Sequence, residues 1–277
     1  VPVLELPPVS TTLLAEALQR FLADELRAAG LAGYVVGLSG GVDSAVSAAL
    51  AVRAVGADRV HALGLPGPTS SPTSLDDARS VAETLAVRFD VVNLAGAAER
   101  LIATLGAGED RVRSGNILAR LRMVALFDHA RAVPALVLGT SNKSEILLGY
   151  STLFGDGAAS AQPLGDVWKT HVFELARELG VPPQVVSKAP TADLWPGQTD
   201  AGELGFDYPA VDPVLYWHHE GGMGRRELVD AGFPASLVDG ALAAYRRNRF
   251  KWRPTVVARV SASCMNVDRI LPRNPER

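Results

Sequence analysis

Residues 39–44 read Ser-Gly-Gly-Val-Asp-Ser and follow the apolar, β-branched run GYVVGL at 33–38. Hydroxyls, paired glycines and a carboxylate at the end of such a run suit the handling of a phosphorylated ligand. Gly40 and Gly41 have no Cβ to crowd an anion, so the N–H groups of a tight turn there can meet phosphate oxygens. Ser39 and Ser44 add hydroxyl donors, and a helix starting near Asp43 turns its positive end toward the same place. The lysine of GxxxxGK[ST] and the third glycine of GxGxxG are both missing. Asp43 would repel a phosphate in that cradle unless a divalent cation lay between them, which makes it a candidate magnesium ligand. For a lone GG-D, a glycine turn with a helix-capping aspartate is the plainer reading. The complete SGGVDS after a β-branched run favours function.

These residues need a scaffold to hold them. TTLLAEALQRFLADELRAAG (11–30) carries Leu14, Leu18, Phe21, Leu22 and Leu26 at helical spacing, with Gly30 placed to end the helix. Short apolar runs at 33–38, 60–65, 89–94 and 134–139 predict strands. Helical patterns lie between them at 43–55, 74–87 and about 114–130, with a shorter one near 97–105. This alternation predicts an α/β fold, a doubly wound parallel sheet flanked by helices on both faces. In such a sheet, ligands bind beyond the carboxyl ends of the strands. The first strand delivers SGGVDS to that edge and the fourth delivers GTSNKSE (139–145), with Thr140 and Glu145.

Bulk properties narrow the class. The 277 residues are 48% hydrophobic with a formal charge of -3 and pI near 6.0, which gives no general pull toward nucleic acid or an anionic membrane. Cys264 is the only cysteine, so no internal disulfide or CxxC zinc site is expected. Apolar runs break well before the roughly 18 residues of a membrane span. The expectation is a soluble, cytoplasmic protein without nucleic-acid or membrane partners.

SGGVDS is similar to the pyrophosphate-binding loop of the N-type ATP pyrophosphatases, the PP-loop family. ARLRM (119–123), GTSNKSE, GYSTLFGDG (149–157), PLGDVWKT (163–170), KAPTADLWPGQTDAGELGFDY (188–208) and FKWRP (250–254) follow in the order seen in NAD synthetases. Over about residues 10–255 the chain therefore resembles that family, and PTADLWPGQTD is the most specific part. The resemblance implies an adenine nucleotide alpha hydrolase-like, Rossmann-like fold forming one domain over 1–277. Within it, an N-terminal helix at about 11–30 precedes a nucleotide-binding core at about 31–190, then a lid and helices at about 191–277. It assigns Gly37, Leu38, Ser39, Gly40, Gly41, Val42, Asp43 and Ser44 to the ATP phosphates, with Thr140 and Thr191 also at ATP. It makes Asp43 and Glu145 the Mg2+ ligands and brings Lys169 to the triphosphate. Arg120, Asp156 and Lys251 are assigned to the dinucleotide. The implied reaction is ATP-dependent amidation of deamido-NAD by ammonia through an acyl-adenylate, giving NAD, AMP and pyrophosphate. Glutamine-dependent relatives carry a further amidohydrolase domain with a catalytic cysteine, so the ammonia-dependent form is expected here. A homodimer with the site near the interface is also implied. Leu153 and Ser160 stand where the short bacterial form has a lysine and a second aspartate, Phe250 replaces a histidine, and Gly64 stands where an arginine can lie. That leaves Asp156 as the main acidic substrate contact.

Plainer readings exist for single residues. Glu145 and Lys169 sit on helical patterns where solvated charges are ordinary. Arg120 and Arg122 flank an apolar position as on a helix's wet face, and Thr191 suits a local turn. The four tryptophans read as packing, and His171, His218 and His219 as structural. Segments 70–74, 106–116 and 194–205 are candidate lids. Leu121, Val124, Ala125 and Phe127 spread around one helix, which must bury more than one face. Another PP-loop ATP pyrophosphatase, amidating or tRNA-modifying, and a nucleotide sensor without turnover remain open alternatives.

Overall fold

Four short parallel strands form the sheet: β1 (Gly33–Gly37), β2 (Val60–Gly64), β3 (Arg88–Val91) and β4 (Ala135–Leu138), in the order β3-β2-β1-β4. Tyr34 pairs with Val60 on one side and with Leu136 on the other. The first three strands step outward in one direction and the fourth returns to the free side of β1. The carboxyl ends of β1 and β4 therefore flank the point where the chain's direction across the sheet reverses, the usual ligand position in such sheets. The computed structural model describes residues 4–252 apart from Pro196, together with 255–258 and 260. Cys264, Arg253 and Pro254 lie outside the described residues, as do the two ends of the 1–277 domain.

The helices are α1 (Thr11–Ala29), α2 (Val42–Val55), α3 (Pro72–Thr84), α4 (Ala95–Thr104), α5 (Arg111–Ala132) and α6 (Lys143–Leu148). They continue with α7 (Lys169–Glu178), α8 (Pro183–Ser187), α9 (Asp200–Leu204), α10 (Tyr208–His219), α11 (Arg225–Asp230) and α12 (Ala235–Asn248). Tyr34 and Val36 pack in one core with α1, α2, α3 and α7, whereas Val35, Leu63 and Val137 pack in another with α4 and α5. Burial of both faces explains why these strands read as continuous apolar runs rather than alternating ones. A third core joins Leu147 and Leu148 of α6 to Val211, Leu215, Leu228 and Leu242 of the last three helices. Among the described residues no helix is long and apolar enough to cross a membrane.

Helix α2 carries small residues where it is crowded. Ala45, Ser47, Ala48, Ala49 and Ala51 are all buried, so α1, α7 and the sheet can close around it. Gly30 ends α1 with φ 64°, the left-handed turn that glycine adopts most readily. Tyr34 donates its hydroxyl proton to the Leu22 carbonyl at 2.7 Å, pinning α1 to the sheet.

Two boundaries move for local reasons. Pro72 starts α3 because proline suits the first turn of a helix, so the segment expected as loop at 70–74 is half helical. Asp110 accepts from Val112 and Arg113 N–H groups at 3.0 Å each and starts α5 three residues before Ser114. The aperiodic stretch 194–205 contains the short helix α9, capped by Thr199.

Gly40 has φ 76°, and a Cβ there would lie 2.3 Å from the Ser74 carbonyl oxygen on α3. Its freedom from a side chain serves this turn and this approach, whereas a Cβ on Gly41 would meet only Ser39 Oγ at 3.3 Å. Gly40→Ala is therefore expected to cost about 2 kcal/mol and lower Tm by roughly 4–8 °C, measured by thermal unfolding.

Candidate active site

The serines expected to face phosphate also brace the glycine loop from within. Ser39 N–H donates to Ser44 Oγ at 3.2 Å, Gly41 N–H donates to Ser39 Oγ at 3.2 Å, and Ser44 Oγ donates to the Gly41 carbonyl at 2.9 Å. Gly41 caps α2 without a side chain. The first N–H groups of that helix stay available to an anion.

Three helix starts converge beyond β1 and β4. Asp43 lies in the first turn of α2, Glu145 in the first turn of α6, and Lys169 is the first residue of α7. Asn142 fixes the two acids together. Its side chain accepts from Glu145 N–H at 3.0 Å, its own N–H donates to Glu145 Oε2 at 3.3 Å, and its Nδ2 donates to Asp43 Oδ1 at 2.9 Å. This is a capping box with one additional bond to a second helix. The remaining oxygens face Lys169, whose Nζ lies 2.5 Å from Asp43 Oδ2 and 3.0 Å from Glu145 Oε1. Lys169 is only 2% exposed, so the solvated-surface reading does not describe it.

Two residues from other helices hold Lys169 in register. Trp168, the N-cap of α7, makes no side-chain cap. Ser144 accepts from Lys169 N–H at 2.9 Å instead, and Asp212 Oδ2 accepts from Thr170 N–H at 2.9 Å and Thr170 Oγ1 at 2.7 Å. The Lys169 ammonium also lies 5.1 Å from the Tyr208 ring centroid, and Tyr208 donates to Asp200 Oδ2 at 2.9 Å. Burial raises the Glu145 carboxyl above the usual carboxylate range, reinforced by the charges of Asp43 and Asp200 and opposed by Lys169. Burial alone would lower Lys169, but the attraction of Asp43 and Glu145 outweighs it and keeps the ammonium charged.

One cavity of about 450 Å³ opens onto this cluster. Every residue expected at ATP lines it except Gly40, and Asp156 and Lys251 line it as well. Arg120 does not: it is exposed, with Nε donating to the Leu153 carbonyl at 3.2 Å. Arg122 lines the cavity in its place, held by the Leu65 carbonyl at 3.1 Å and Ser70 Oγ at 3.1 Å. Asp156 Oδ1 accepts from Thr152 N–H at 2.7 Å, and Lys251 donates to the Gly149 and Ser151 carbonyls at 2.7 Å each. Both therefore also shape the 149–156 segment. Thr191 accepts from Asp193 N–H at 3.1 Å, the local turn its surroundings suggested. Two of the candidate lids come together at their edges: Thr69, just before the 70–74 segment, donates to the Leu194 carbonyl at 2.8 Å, and Ser71 N–H donates to Asp193, just before the 194–205 segment, at 3.2 Å.

Asn142, Asp200, Tyr208 and Asp212, and Lys188 on the cavity wall, were not singled out in the sequence. The Asn-x-x-Glu spacing could have revealed Asn142. The others depend on contacts between helices distant in sequence.

The donor set suits a hard divalent ion. Asp43 and Glu145 each direct one carboxylate oxygen to a shared cationic position beside the glycine loop, and magnesium commonly takes one or two carboxylates together with substrate phosphates.

A parallel sheet with a glycine loop and paired acids at its switch point defines a nucleotide-binding α/β protein. A family model described as NAD synthase matches residues 14–255. The NH(3)-dependent NAD(+) synthetase of Trichlorobacter lovleyi is 44% identical over 260 residues, covering 94% of this chain and 95% of the relative. The structure of an NMN synthetase from Francisella tularensis superposes with TM-score 0.81 at 33% identity, covering 91% of this chain and 99% of that one. The NH3-dependent NAD synthetase of Campylobacter jejuni gives 0.75 at 28% identity, covering 91% of this chain and 100% of that one. The chain belongs to the NAD synthase family.

Asp212 is expected to hold Lys169 in register. Asp212→Ala should cost roughly 2–4 kcal/mol by leaving two donors unsatisfied and reduce turnover about 10-fold or more through misplacement of Lys169. Asp212→Asn, which keeps an acceptor, should recover most of both, as read by thermal unfolding and steady-state kinetics.

Proposed function

We propose that this chain forms NAD by amidating deamido-NAD with ammonia, consuming ATP and releasing AMP and pyrophosphate through an acyl-adenylate. The carrying observation is the convergence of Asp43, Glu145 and Lys169 at the mouth of the glycine loop. A carboxylate does not react with ammonia at neutral pH, because its charge repels the nucleophile and it has no leaving group. Adenylation supplies one.

Leu65, Met123 and Leu126 give the cavity an apolar wall beside Gly37, suited to the adenine base. The loop N–H groups and the start of α2 receive the phosphates. Asp43 and Glu145 would hold magnesium, which when bound neutralises phosphate oxygens and makes the α phosphorus easier to attack. Lys169 offsets the charge developing on the departing pyrophosphate. The segments around 69–71 and 193–194 shield the adenylate from water. The chemistry needs positioning and charge neutralisation, with no covalent enzyme intermediate.

The dinucleotide's outer half is read by Asp156 and Lys251, with Arg120 reaching it from the outer face of α5. Val124 and Phe127 on α5 are 56% and 39% exposed, an apolar surface that supports a homodimer with the site near its interface. A cytoplasmic location follows from the substrates. The F. tularensis relative, named an NMN synthetase, supports a second reading in which the acceptor is the mononucleotide.

Pyrophosphate release by the purified chain, measured with ATP and ammonium, is expected to depend on deamido-NAD and to remain at background with glutamine. Robust glutamine use, or pyrophosphate release without an acceptor, overturns the assignment. A higher kcat/KM for nicotinic acid mononucleotide selects the second reading. Asp43→Asn and Glu145→Gln should each reduce kcat/KM by roughly 100-fold or more.

A further inference from the structure

The position between the two carboxylates already holds a cation. Asp43 Oδ1 accepts from Asn142 Nδ2 and Glu145 Oε2 accepts from Asn142 N–H, while Asp43 Oδ2 and Glu145 Oε1 both face Lys169 Nζ. A cation placed between these acids competes with the ammonium for Asp43 Oδ2 and Glu145 Oε1. We propose that Lys169 is a resident counter-ion that blocks free divalent metal from the Asp43–Glu145 pair. It yields that position only when nucleotide phosphates draw it away. This rests on the reading of Asp43 and Glu145 as the metal ligands.

The surroundings support such an exchange. Without a cation the paired acids would be uncompensated charges in a largely buried site, a strongly disfavoured state. Lys169 removes that penalty, with the Tyr208 ring beneath it and Asp200 nearby. Bare metal would have to strip its own water and also leave the ammonium buried without a partner. Nucleotide changes the balance, since the triphosphate offers the ammonium new anionic partners while the metal arrives partly coordinated by phosphate. Ser144 and Asp212 hold the backbone of Lys169 and Thr170, so only the flexible four-carbon stem has to move. Metal and nucleotide binding are thereby positively coupled, and reciprocally so.

The test uses Mn2+ as probe on the full chain without nucleotide, with free Mn2+ read by electron paramagnetic resonance. Wild type should retain Mn2+ weakly, and K169M should bind it roughly 30-fold tighter or more, within the range of strong site coupling. K169Q serves as the second variant should K169M not fold, folding being judged by circular dichroism. Equal Mn2+ affinity in wild type and the lysine variants overturns the proposal. The variants with D43N added separate this from failure of the ligand assignment. Loss of tight Mn2+ binding in the double variant supports the proposal, whereas unchanged binding shows that the metal sits elsewhere and refutes both. If the lysine variants gain nothing while D43N abolishes Mn2+ retention with α,β-methylene-ATP, the blocking role fails and the ligand assignment stands.

Discussion

A single buried ammonium shared by two carboxylates is the constraint on which the rest of this structure depends. Asp43, Glu145 and Lys169 come from three helices far apart in sequence, and none would tolerate its surroundings alone. The ion pairs offset the desolvation of each charge only while the three helix starts keep their relative positions. Side-chain bonds accordingly brace those starts. Asn142 ties α2 to α6, Ser144 ties α6 to α7, and Asp212 ties α7 to α10.

The sheet contributes the platform. Because β4 lies beside β1, the loops leaving these strands open toward a common space. The small residues of α2 let neighbouring helices approach closely, and the same helix presents free N–H groups and Asp43 at its beginning. Backbone dipole and side-chain charge thus have opposite signs at one helix end: the backbone favours an anion and the carboxylate a cation.

The architecture was largely legible from periodicity. Strand runs, intervening helices and the parallel arrangement all follow from apolar patterns, because a sheet covered on both faces needs continuous β-branched runs. Boundaries depended on caps, as at Pro72 and Asp110. The glycine loop and the acids were legible as residue types in recognisable local settings, and the family match confirms the class to which those motifs belong. Burial of Lys169 was not legible, since a lysine at a helix start resembles a solvated one until the opposing acids are in place. The choice between Arg120 and Arg122 was equally hidden. Two positions on a helix differ by about 200° around its axis, and only tertiary packing decides which of them meets the cavity.

Gly40 rests against the Ser74 carbonyl, and the same turn of α3 supplies Ser74 Oγ and Asp77 to the Lys188 ammonium at 3.1 and 2.8 Å. The floor under the glycine loop and the anchor of Lys188 are thus one piece of backbone. Any shift of that turn is transmitted to both sides of the chamber, so the glycine loop and the stretch of chain leading from Lys188 behave as a single mechanical unit.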